Sequence, residues 1–164
     1  MKTVKSYQYL GIFHGALTIF LGLLGGIGLT FAAIGEVSVW PFFSSELTIP
    51  GEISLWRSAH TGPIMNGLLC IAFSLSLSLF SNQTKYARLI VYAMIFTCWG
   101  NNLFYFFRIF SVNRGLSMAT EKYGEGGFMD FISYIPAFLA IPVTIFASLL
   151  LAKMAYNEYT GSMK

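Results

Sequence analysis

The chain of 164 residues offers few groups that can do chemistry. Its two histidines are His14 and His60, and beyond them lie the amides Asn66, Asn101 and Asn102, the phenol Tyr105 and the cation Arg108. An imidazole can ligate a metal, amides and phenols can hold a reacting oxygen, and a guanidinium can pair an anion. The seven acids all sit in loops, at edges or in tails, none inside a long apolar run. A carboxylate nucleophile, a carboxylate acid–base pair and a carboxylate proton relay are therefore excluded within those runs. The cysteines, Cys70 and Cys98, lie in apolar runs without metal-ligand spacing and read as small packing residues.

The elements that must position these groups follow from composition. Apolar residues make up 55% of the chain and charged ones 10%, against roughly 25% charged in a soluble domain. The solvent for such a surface is a bilayer, and nothing points to a nucleic-acid partner. Four stretches reach the roughly 20 apolar residues that a spanning helix needs: 7–34, 59–80, 86–110 and 131–155. The first follows Lys2 and Lys5 as a signal peptide would, but exceeds an h-region of roughly 7–15 residues, so it reads as a retained helix. Residues 74–80 alternate Ser and Leu like a strand, yet a lone strand in lipid leaves its backbone unpaired, so the helix reading wins. The expected fold is an all-α membrane protein, one domain over 1–164, with four transmembrane helices in an antiparallel bundle.

Orientation follows from cations. One side of the membrane carries Lys2, Lys5, Lys85, Arg88, Lys153 and Lys164; the other carries Arg57, Arg108, Arg114 and Lys122. Six against four places both termini in the cytoplasm. In the first span Gly11, Gly15, Gly22 and Gly26 form two small-residue units on one face, suited equally to packing within one copy or to a seam between copies.

Depth sorts the polar residues. His60 enters the second span from outside, whereas His14 lies in the inner third of the first; at roughly 1.5 Å per residue they differ by about 15–20 Å. One iron cannot take both within a chain. The third span runs outward, so Asn101, Asn102 and Tyr105 near its end share a layer with His60 and Asn66. Each taken singly is ordinary polar glue or aromatic belt. Asn66 lies roughly 120° around an ideal helix from His60, so either Pro63 distorts that turn or the two serve different faces.

The run Trp56-Arg-Ser-Ala-His60-Thr-Gly-Pro63-Ile-Met-Asn66-Gly resembles the signature of styrene oxide isomerases. So do Trp99-Gly-Asn101-Asn-Leu-Phe104-Tyr105-Phe-Phe107, Asn113-Arg-Gly-Leu116 and the His14-Gly15 pair, a likeness covering about residues 11–150. The resemblance implies a membrane homotrimer binding haem b at subunit junctions, with ferric iron and His60 as axial ligand. It implies Asn66 and Tyr105 at the substrate and a Meinwald rearrangement of an epoxide to an aldehyde. Arg57, three residues before His60 on its face, is expected to meet a haem propionate, and Asn101 to stand beside the cofactor. Phe104, Phe106, Phe107 and Trp99 are candidates for the apolar wall. The expected place is the inner membrane of a bacterium. Competing readings are a b-type cytochrome, an isomerase of another epoxide, and a membrane scaffold without cofactor.

The cation bias makes the first prediction. On intact cells an impermeant maleimide should label Ser45→Cys but not Asn82→Cys; labelling of the second alone reverses the orientation.

Overall fold

The computed structural model describes residues 3–80 and 84–162. Lys2, Lys164 and most of the turn joining the second and third spans (81–83) lie outside the described residues, as does the side chain of Lys85. Four helices are long and apolar enough to cross a membrane. They are α1 (Val4–Ile34), α2 (Ile53–Ser76, drawn out by a 3-10 turn to Leu79), α3 (Thr84–Phe107, likewise to Phe110) and α4 (Phe128–Ser162). The alternating Ser/Leu run is helical to Leu79, as backbone pairing in lipid requires, and only Phe80 leaves the helix. Its hydroxyls are absorbed locally: Ser74 and Ser76 donate to the Cys70 and Phe73 carbonyls.

Helix ends match their residues. Thr3 caps α1, accepting from the Ser6 N–H at 3.3 Å, and Gly35 closes it at φ 74°, the left-handed position that glycine takes without strain. The second and fourth helices begin earlier than hydropathy alone suggests, at Ile53 and Phe128 rather than 59 and 131, because each is anchored by the loop before it. Glu52, preceding α2, is paired with Arg114 at 2.6 Å, and Trp56 donates its indole N–H to the Pro50 carbonyl at 2.8 Å. At 35 residues α4 is about 52 Å long, more than the roughly 30 Å hydrocarbon core, so one end projects beyond it.

Two features carry no hydropathy signal. The first loop forms a hairpin, β1 (Glu36–Val39) against β2 (Phe43–Glu46), and the loop before α4 a smaller one, β3 (Ala119–Thr120) against β4 (Gly124–Glu125). The helices form an open antiparallel arrangement: α1 packs on α2 and α3, and α4 packs on α3. In the half near the termini all four meet around Tyr7, Cys70, Leu77, Ile90, Met94 and Met154. In the other half a smaller cluster of Leu55, Ala59 and Ile109 joins α2 to the end of α3.

The small-residue stripe of α1 is used within the chain. Gly11, Gly15, Gly22 and Gly25 are buried, and Gly15 and Gly22 lie so close to α2 that a Cβ on either would sit 2.8 Å from a backbone carbonyl, of Gly67 and His60 respectively. Of the two uses that the spacing allowed, packing inside one copy is the one observed.

Candidate active site

The site residues stand on two faces of α2. His60, Ile64, Gly67 and Ile71 face α1, whose glycines they touch. Gly62 and Asn66 face α3. The helix continues through Pro63, so the separation of His60 from Asn66 is the ordinary angular spacing of a helix, and the two serve different faces.

On the α1 side, His60 Nδ1 lies 2.8 Å from the carbonyl oxygen of Gly22. A carbonyl only accepts, so the Nδ1 proton must be present and donated. In a neutral ring this leaves the lone pair on Nε2, which has no hydrogen-bond partner among the described residues. The ring reaches Gly22 because Gly26 leaves room: a Cβ there would stand 2.8 Å from Nδ1. His14 has the opposite arrangement. The Trp99 indole, a donor only, gives its N–H to His14 Nδ1 at 3.1 Å. That lone pair is spent, and the ring carries its proton on Nε2. Trp99 is therefore turned to α1 and is not part of the apolar wall.

On the α3 side a chain of amides is fixed end to end. Asn66 Nδ2 donates to the Gly62 carbonyl at 2.9 Å, which turns Asn66 Oδ1 toward α3. Asn101 Nδ2 donates to that Oδ1 at 2.8 Å. The acceptor-only Gly62 carbonyl thus settles the orientation of both amides. Asn101 keeps its own Oδ1 and one N–H for whatever lies beyond. Tyr105 packs its ring on Gly62, where any Cβ would collide with it, and its hydroxyl has no hydrogen bond among the described residues.

Asn101 and Tyr105 open onto a cavity of about 300 Å³ between α3 and α4. Phe104, Tyr134, Phe138 and Ile141 supply apolar wall, and Gly115 and Leu116 close part of it from the loop. Of the aromatic candidates only Phe104 lines this space; Phe106 packs on the Leu55 cluster instead. The contribution of α4 is Tyr134, Ala137, Phe138 and Ile141, residues of types common on lipid-facing helices. Arg108 lies beside the cavity, its guanidinium 4.7 Å from the Phe104 ring centre with Nε buried and without a partner among the described residues. Asn102 is turned away and buried, with neither end of its amide paired among the described residues. Arg57 is exposed in the first turns of α2. The chain thus brings together Asn66, Asn101 and Tyr105, and leaves His60 and Arg57 on another side.

This layout, with a lone ligand-ready imidazole and a neutral, aromatic cavity, coincides with a family match along nearly the whole chain. The model of the family described as styrene oxide isomerase matches residues 7–156. The chain belongs to that family. A curated styrene-oxide isomerase from Pseudomonas fluorescens is 36% identical over 126 residues, covering 77% of this chain and 75% of the relative. Membership places the chain among isomerases, and its four apolar helices make it a multi-pass membrane protein.

The α1–α2 contact that holds His60 makes the second prediction. Gly22→Ala forces a methyl between the two backbones and should cost roughly 1–3 kcal/mol in detergent unfolding. Ala16→Val, on the exposed face of the same helix, should cost well under half as much. Equal losses would mean that the close approach at Gly22 contributes nothing specific.

Proposed function

We propose that the chain converts styrene oxide to phenylacetaldehyde, using ferric haem b held by His60 in a homotrimer whose haems lie at subunit junctions. The observation that carries the cofactor assignment is the Gly22 carbonyl on His60 Nδ1. It orients the ring and leaves Nε2 ready to bind a metal, the outer-shell arrangement usual for ligating histidines. Among the described residues no three His, Cys, Asp or Glu gather into a site for a bare ion. A single imidazole suits a metal that brings its other ligands with it, as a macrocycle does. His14, with Nδ1 occupied by Trp99, is no second axial ligand, which disfavours the b-type cytochrome. The separation of His60 from the cavity across α2 supports a site shared between copies, with Arg57 and Asn101 the proposed neighbours of the cofactor. The family's activity and the Lys/Arg bias support a bacterial inner-membrane protein with both termini cytoplasmic.

Bound at His60, ferric haem supplies a Lewis acid for the epoxide oxygen. The residues of the chain do the rest. The phenyl ring is held by Phe104, Tyr134 and Phe138 in a cavity lined mostly by apolar side chains, which offers water, the nucleophile that would trap a benzylic cation as a diol, few partners. Tyr105 donates its free hydroxyl to the oxygen as the benzylic C–O bond opens. Asn101 turns its carbonyl dipole and remaining N–H on the same space, and Asn66 orients Asn101.

The cavity wall contains no base. Its polar members among the described residues are Asn101, Tyr105 and Tyr134, and an amide or a phenol carrying its proton is a poor proton acceptor. Hydrogen therefore moves as hydride from the terminal carbon to the benzylic one within the substrate, and no proton need leave.

Two experiments test this reading. His60→Ala should purify without the visible absorbance of haem, whereas His14→Ala should keep it; the reverse result removes the assignment. Styrene oxide carrying two deuteriums on its terminal carbon, turned over in ordinary water and trapped at once, should give aldehyde that retains both, one of them benzylic. Early loss of the migrating label to solvent would require a base and reject hydride migration.

A further inference from the structure

Asp130 is the one carboxylate that the fold buries completely, at 0% exposure among the described residues. It is the third residue of α4 and accepts from the Gly127 N–H at 3.0 Å, as an acid in a capping box does. That contact alone would serve the helix. Three more backbone donors converge on it from the loop after α3: Val112 N–H at 3.1 Å, Asn113 N–H at 2.8 Å and Gly115 N–H at 3.4 Å. No Lys or Arg lies within ion-pair distance of it among the described residues. These donors therefore replace water for a charge that is costly to bury unpaired.

The loop is shaped to deliver them. Arg114 at φ 55° and Gly115 at φ 67° are both left-handed, a bend that lets neighbouring N–H groups point at one anion. A left-handed arginine is uncommon, and this one is tied at its far end to Glu52 before α2. Gly115 fits tightly against α4, since a Cβ would lie 2.6 Å from Ser133 Oγ. The segment so fixed places Gly115 and Leu116 in the cavity wall, next to Asn101 and Tyr105.

We infer that Asp130 is a positioning residue that sets the size of the substrate cavity by holding residues 112–116 over it. It touches no substrate and acts through the loop. The inference rests on the proposed reaction for its substrate, and on the geometry alone for its mechanism. Asp130→Asn keeps the shape but replaces one accepting oxygen with a donor, turning N–H groups against N–H groups.

The test uses full-length protein purified with whatever cofactor it carries. In Asp130→Asn the KM for styrene oxide should rise about tenfold, the loss expected for charge-assisted hydrogen bonds. Its kcat should stay within about threefold, because only binding is weakened. Discrimination against a bulkier naphthyl epoxide should fall, and styrene, the unreactive analogue, should bind about tenfold more weakly by saturation-transfer NMR. Unchanged KM, selectivity and styrene binding in a folded variant would reduce Asp130 to a loop anchor and overturn the inference. If Asp130→Asn does not fold, Asp130→Glu keeps the charge and displaces the same loop by one methylene. It should raise KM with kcat kept, and an unchanged KM again overturns the inference. Wild-type protein that binds styrene but does not turn over styrene oxide rejects the reaction; weaker styrene binding in Asp130→Asn would then still uphold the positioning role. Wild-type protein that neither binds styrene nor turns over the epoxide rejects both.

Discussion

A backbone carbonyl inside hydrocarbon can accept a hydrogen bond but never give one, and that asymmetry decides the state of every polar side chain set against it. Two such carbonyls organise this protein. Gly22 O makes His60 carry its proton on Nδ1, and Gly62 O makes Asn66 present its amide oxygen to Asn101. In water either side chain could flip or exchange partners at little cost. In lipid an unmet amide or imidazole costs several kcal/mol, so each arrangement persists. The glycines of α1 matter for the same reason: they let side chains of α2 reach carbonyls of the neighbouring helix at hydrogen-bonding distance.

The spans were legible because lipid demands length and apolarity together, and few soluble sequences satisfy both. The polar layer was legible too. Counting residues from the helix ends placed Asn66, Asn101 and Tyr105 at one depth, and a hydrogen bond at 2.8 Å joins the first two. Rotation about the helix axis was only half legible: the 120° between His60 and Asn66 follows from helix geometry, but which neighbour each face meets depends on packing. The wall from Tyr134, Phe138 and Ile141 could not be told from lipid-facing residues of the same types. Trp99 looked like cavity wall until its indole was seen to give its proton to His14. Asp130 looked like any loop acid, because the four donors that single it out are backbone groups, which sequence does not display.

The division of α2 into two chemical faces has a functional side. The face toward α1 keeps a basic nitrogen available, and the face toward α3 lays neutral hydrogen-bonding groups along an apolar cavity. Were both groups on one face of one chain, His60 would find Asn66, Asn101 or Tyr105 as a partner and lose its free lone pair to a hydrogen bond. Keeping them apart preserves the nitrogen, and assembly of copies is a route to bring the two faces to one place.

The treatment of charge bears on the chemistry. An epoxide opened at its benzylic carbon is exposed to any nucleophile or base within reach, and a carboxylate would be the most damaging neighbour, since it could add to the cation or strip its proton. The sole carboxylate buried here near the cavity has both oxygens occupied, each by two backbone N–H groups. A group so engaged is a weak nucleophile and a weak base, because reacting would sacrifice hydrogen bonds that compensate its burial. The remaining polar groups of the wall are amide and phenol, which stabilise charge through dipoles without forming a bond to carbon. On the proposed reaction, with addition and deprotonation both disfavoured by amide and phenol groups, the path left to an opened epoxide is to move a hydrogen inside itself.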